Sequence, residues 1–192
     1  MKKTSIGAWI LTYNPDATDV ISKSGFDWVC IDLEHSSLNF TELSVLLNVL
    51  EKNKTESFVR VSFNDKTQIK KALDLGADII VMVHPDHQYN PKLIPQMIIP
   101  LLENQCDAVF GSRMLGGEFF QGGMPHWKFY ANIMLTAFAN MMLGIYLTEF
   151  HTGFRAYSKH YLESINFNEN SDNFVFDTEI IIQGIHKRMK FH

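Results

Sequence analysis

Three side chains able to do chemistry fall close together early in the chain. Asp32 and His35 lie in the run Ile31-Asp32-Leu33-Glu34-His35, and Arg60 lies in Phe58-Val59-Arg60-Val61. An Asp three residues before a His can orient the imidazole and raise its basicity, which suits a general base. A fixed guanidinium at the end of the next strand can hold a carboxylate bidentately. The plainer alternative is a strand-end acid and a His solvated in a loop, with Arg60 in a surface pair. Spacing alone leaves both open. A second group follows at His84, Asp86 and Gln88, in His84-Pro85-Asp86-His87-Gln88. Alternate residues of an extended chain share one face. An Asp flanked by an imidazole and an amide oxygen can ligate a divalent cation, Mg2+ or Mn2+. A polar turn after a strand is the alternative there.

The elements that must position these groups alternate. Apolar runs at 6–11, 26–33, 57–63 and 78–83 read as strands. Helical patterns at 16–24, 41–52 and 66–75 separate them, with Asp16 as a first N-cap, Asn39 or Thr41 as a second, and Gly25 and Gly76 as stops. Strands alternating with helices of about ten residues predict βαβ units and a mainly parallel sheet flanked by helices. Asp32, His35 and Arg60 then sit at the C-terminal ends of parallel strands, where such folds place active groups. Further on, 91–104 reads as a helix that Pro95 and Pro100 should bend or break. A strand at 108–112 and a glycine-rich loop to Gly123 come next. A long apolar helix is expected at 127–147, a strand at 153–157, and helices at 159–164 and 176–188.

With 46% hydrophobic and 20% charged residues, the chain has an ordinary globular balance. Its net charge of -4 gives no reason to expect a nucleic acid partner. Cys30 and Cys106 sit in or beside apolar runs and read as buried thiols, which favours a reducing, cytoplasmic setting. The helix from Trp127 carries Asn132, Thr136 and Asn140, so it reads as a core helix or one resting on a membrane surface.

Two resemblances divide the chain. Residues 5 to about 77 resemble the opening of HpcH/HpaI-type class II aldolases, through Ile6-Gly7-Ala8-Trp9, Ser24-Gly25-Phe26-Asp27-Trp28, Ile31 to His35, Val59-Arg60-Val61 and Ile69 to Ala77. The resemblance implies a (β/α) barrel segment in which His35 is the base, Asp32 supports it and Arg60 binds the carboxylate of a 2-keto acid. The metal ligands of that family lie on later strands, for which this chain has other sequence.

Residues from about 74 to 190 resemble family 2 glycosyltransferases of the dolichyl-phosphate mannose synthase type. The motifs are His84 to Tyr89, Gly111-Ser112-Arg113, Gly122-Gly123-Met124-Pro125, His151 to Tyr157 and Phe174 to Glu179. The resemblance implies a Rossmann-like (GT-A-like) sheet and transfer of a sugar from a nucleotide sugar to a polyprenyl phosphate or glycan acceptor. Asp86 and Gln88 then belong to the metal motif, with His84 where those enzymes carry the first acid. Arg113 matches a phosphate-contacting Arg, Arg155 lies in the acceptor-side motif, and Asp177 is a candidate base or structural cap. The long apolar helix would face the membrane that bears the acceptor.

The seam lies at Gly76-Ala77-Asp78, giving segments 1–77 and 78–192 in what is expected to be one fused unit. The expectation is that neither catalytic apparatus is complete, which leaves a glycosyltransferase-derived protein, an aldolase-like lyase fragment and a non-catalytic fusion as alternatives. Helices covering faces they did not evolve to cover should leave exposed apolar patches, open to self-association.

Overall fold

The computed structural model describes residues 5–61, 66–83, 91–112, 126–150, 152–171 and 175–192. Six strands form one sheet: β1 (Gly7–Ile10), β2 (Trp28–Asp32), β3 (Glu56–Val61), β4 (Ile79–Val83), β5 (Ala108–Phe110) and β6 (Phe154–Ser158). Their spatial order is β1-β2-β3-β4-β6-β5. The first four pair in parallel and in chain order, whereas β6 is antiparallel to both β4 and β5. The mixed α/β sheet expected from the alternating pattern is therefore present, with one reversed strand. A doubly wound sheet would reverse its strand order near the middle. The first four strands instead advance one position at a time, as the arc of a barrel does.

Helices α1 (Pro15–Ser22), α2 (Phe40–Lys52) and α3 (Lys66–Asp74) connect these four strands. Leu43, Leu46, Leu47 and Leu50 recur at helical spacing on α2, and all four are buried. Asn39 caps α2: its side chain accepts from the Glu42 backbone N–H, and the Glu42 carboxylate accepts from Asn39 N–H at 2.9 Å. Asn14, not Asp16, caps α1, because Pro15 fills the first helical position and Asn14 accepts from Ala17 N–H.

Past β4, a 3-10 turn (Pro91–Leu93) leads into α4 (Ile94–Leu102). Pro95 lies in the first turn of α4, where no N–H is needed, so it starts this helix. Helix α5 (His126–Leu143) stops four residues before the expected Leu147, where Gly144 adopts a φ of +66°. Helices α6 (Lys159–Ser164) and α7 (Phe176–His186) follow β6. Residues 190–192 run alongside β5: Ala108 donates to Lys190 O, and Phe110 to His192 O.

Strand alternation sorts the two faces. Val29, Ile31, Val59, Val61, Ile80 and Met82 pack toward α2, α3, α6 and α7. Trp28, Cys30, Phe58, Ile79, Val81 and Val83 lie on the opposite face with α4. Gly7 has no room for a side chain, since a Cβ there would lie 2.1 Å from the Trp28 ring. Both cysteines are free and buried, and burial pushes the Cys106 thiol up to about 11. Neither thiol is therefore expected to react with a thiol reagent until the chain unfolds; rapid labelling of the native protein would contradict this placement.

The stretch Gly76-Ala77-Asp78, where the seam is expected, is tied on both sides. Gly76 ends α3 at a φ of +99°, and Asp78 follows. The Asp78 carboxylate accepts from Ser57 N–H at 3.0 Å and Ser57 Oγ at 2.7 Å, while its carbonyl accepts from Lys159 N–H at 2.8 Å. Asp78→Ala removes the first two bonds and should lower stability by about 1–3 kcal/mol in urea unfolding. An unchanged midpoint would show that the clamp is idle.

Candidate functional site

Asp32 and Arg60 are register partners at the ends of β2 and β3. Parallel pairing sets them side by side on the face that also carries Trp9 and Phe58. The Arg60 guanidinium binds Asp32 bidentately, with Nε donating at 2.8 Å to Oδ1 and Nη2 donating to Oδ2. The side chains are 5% and 1% exposed, so this is a buried ion pair rather than a surface one. Asp32 Oδ1 also accepts from the backbone N–H of Glu34 at 2.9 Å and of His35 at 3.1 Å. These bonds fold the chain back over the strand end, and Ser36 Oγ donates to Asp32 O.

Arg60 Nη2 also meets His35 Nδ1. A guanidinium only donates, so Nδ1 accepts and the ring proton of the neutral imidazole sits on Nε2. The side chain of His35 is 60% exposed. Asp32 thus holds the His35 backbone, and its link to the ring runs through Arg60. Glu34 completes the group, with Oε2 3.3 Å from Arg60 Nε and 3.6 Å from His35 Nδ1. Trp9 lies against Arg60, its ring centroid 5.3 Å from Cζ.

Glu34 and Trp9 had no role in the sequence reading. Period-two alternation was the available signal for Glu34, since it places Asp32 and Glu34 on one side of an extended chain. Trp9 needed the pairing of β1 with β2, which spacing along the chain does not reveal.

Asp32, Glu34 and His35 form a candidate acidic cation site, with ligand atoms all within 4.8 Å of one another. Arg60 already supplies positive charge to the same atoms. A divalent ion there would face the guanidinium at hydrogen-bonding range, so these residues do not fit a resident cation without its displacement.

The residues assigned to the second segment divide. His84, Asp86, Gln88, Arg113 and His151 lie outside the described residues. Arg155 is fully buried on β6. Its Nε donates to Thr152 O at 2.7 Å, Nη2 to Phe150 O at 3.0 Å and Nη1 to Asp177 O at 3.0 Å. The Asp177 carboxylate lies 3.3 Å from Arg155 Nη1. Burial disfavours the Arg155 charge, but Tyr157 and Asp177 outweigh it and hold the guanidinium above its usual range. This pair fastens the start of α7 to β6; its bonds are spent within the protein, with Phe110 against the guanidinium. Glu149, 1% exposed, accepts from Asn132 of α5 at 3.0 Å.

A cavity of about 300 Å³ beside α3 is lined by Lys66, Lys70, Lys71 and Asn168. Its lysines are engaged: Lys70 with Asp74, Lys66 with Asn170 O, and Lys71 over the Phe40 ring.

Residues 5–89 match the HpcH/HpaI aldolase/citrate lyase family model. The match runs past Gly76-Ala77-Asp78 and takes in all of β4. A 2-dehydro-3,6-dideoxy-6-sulfogluconate aldolase from Pseudomonas putida is 30% identical over 77 residues, 40% of this chain and 30% of that protein. A UDP-N-acetylglucosamine–dolichyl-phosphate N-acetylglucosaminyltransferase from Methanococcus voltae is 35% identical over 100 residues, 52% of this chain and 39% of that protein. The glucosyl-3-phosphoglycerate synthase of Mycobacterium tuberculosis, solved with phosphoglyceric acid, aligns over 95% of this chain and 65% of its own, at 17% identity and a TM-score of 0.46. The chain is thus similar to aldolases and to a glycosyltransferase, and it spans well under half of either curated relative.

Two measurements check this geometry. Nitrogen-15 NMR should show the neutral His35 ring protonated on Nε2; protonation on Nδ1 would contradict the Arg60 contact. Arg155→Met should cost about 3 kcal/mol, because carbonyls and Asp177 lose a buried donor; a near-neutral change would remove its anchoring role.

Proposed function

We propose that the ends of β2 and β3 bind a 2-keto acid, with its carboxylate on Arg60 and its keto oxygen on His35. The observation that carries this is the guanidinium fixed between Asp32 and His35 beside the exposed ring. Nε and Nη2 are committed to these partners, so an incoming carboxylate takes the Nη1 edge. The Nε2–H of neutral His35 then donates to the carbonyl and polarises it. Proton abstraction asks more. The imidazole can accept a proton only at Nδ1, which Arg60 covers. The geometry therefore favours binding and polarisation over turnover. The family match and the aldolases at about 30% identity support this reading.

A second reading is sugar transfer from a nucleotide sugar to a polyprenyl phosphate or glycan acceptor at a membrane surface. The identity to the Methanococcus transferase favours it. Asp86, Gln88 and His84 would hold Mg2+ or Mn2+, and Arg113 the diphosphate. Among the described residues no helix is long and apolar enough to cross a membrane. Titration calorimetry with Mn2+ and UDP- or GDP-sugars tests this reading: heat supports it and none removes it.

The first reading is tested by titrating pyruvate into labelled protein. The His35 ring and Arg60 Nε signals should move first. Arg60→Lys keeps the charge but loses the fork, and should weaken binding about tenfold, roughly 1.4 kcal/mol. Shifts confined to other residues, or equal binding by the variant, would defeat it.

A further inference from the structure

Helix α5 is turned inside out. Asn132, Thr136 and Asn140 recur at helical spacing and face the protein: Asn132 donates to Glu149, Thr136 Oγ1 lies 3.5 Å from Asn132 Oδ1, and Asn140 clamps both backbone groups of Leu147 at 2.8 Å. Thr136 is the one buried residue of α5 among those described. The outward surface is apolar, with Trp127 68%, Met134 73% and Met141 72% exposed, and Tyr130, Phe138 and Met142 beside them. A helix normally turns its apolar stripe to the core. The amide bonds fix the opposite orientation here, so the apolar face is held out by the fold rather than left over from poor packing.

We propose that a second copy of this chain covers this face, with α5 packing antiparallel on its counterpart across a twofold axis. Area favours it. The exposed apolar side chains of α5 together present on the order of 800 Å², which is about what each partner gives to a stable interface. Pairing about a midpoint near Met134 sets Trp127 of one copy opposite Met141 and Met142 of the other. Thioethers pack well on aromatic rings, and one face meets its own copy as an isologous contact requires. Charge argues against a lipid surface as the occupant. Interfacial helices keep Lys and Arg along the polar side, whereas Asn132, Thr136 and Asn140, the polar side chains of α5 that the structure describes, are uncharged and turned into the protein. The net charge of -4 gives no general attraction to anionic lipid.

The test is light scattering on the eluting full chain, run with Met134→Glu and Met141→Lys. Wild type should have twice the protomer mass, and each variant the protomer mass with unchanged circular dichroism. Both positions are exposed in the protomer, so if one variant fails to fold the other decides. Met134→Cys should also form a disulfide-linked dimer under mild oxidation, because Cys30 and Cys106 are buried. A monomeric wild type, dimers that survive both charge substitutions, or a monomer that floats with phosphatidylcholine–phosphatidylglycerol vesicles would overturn the proposal.

Discussion

The structure depends on β4. Ile79 to Met82 pair in parallel with β3 on one side, all five residues pair antiparallel with β6 on the other, and all five are buried. A strand in that position must present usable backbone groups on both edges and apolar side chains on both faces. Ile79-Ile80-Val81-Met82-Val83 meets both demands. Gly76-Ala77-Asp78 precedes it directly. Gly76 stops α3 and Asp78 binds Ser57 through its carboxylate and Lys159 through its carbonyl. A shift of one residue would turn Ile80 and Met82 from the face covered by α2, α3, α6 and α7 to the face that carries α4.

The chemistry is subject to a related constraint. Asp32 and Arg60 occupy matching register positions because β2 and β3 are parallel neighbours, and their pair is buried. Such a pair costs desolvation and is held by its geometry and its further hydrogen bonds. The bonds that satisfy it also consume most of the guanidinium and cover the basic nitrogen of His35. What stabilises the strand ends thus opposes use of the same groups in catalysis. Strand β6 repeats the pattern with Arg155, whose donors bind the carbonyls of Thr152, Phe150 and Asp177.

Much of the fold was legible. The four early strands and three helices follow from apolar periodicity, and Asn39 with Glu42 three residues later marks the start of α2. The reversal of β6 was not legible, because a buried five-residue run looks alike in either direction. The end of α5 was misplaced because Ile145 and Leu147 continue an apolar pattern that only the left-handed Gly144 breaks. At the site, residue types and spacing brought Asp32, His35 and Arg60 forward. Their partner choice was hidden: Asp32 and Arg60 are 28 positions apart, and only the parallel register makes them neighbours. The inward turn of Asn132, Thr136 and Asn140 was equally hidden, since spacing defines a stripe but not the direction it faces.

The strands before β4 and those after it share one sheet through β4. Native-state hydrogen exchange tests it most directly, by comparing amides of β2 and β3 with those of β4 and β6. One sheet predicts that the slowest amides of all four strands open with the same free energy and respond alike to urea. Opening of β6 well below β2 and β3, with a shallower urea dependence, would mean that the two sets of strands fold separately and that β4 does not join them.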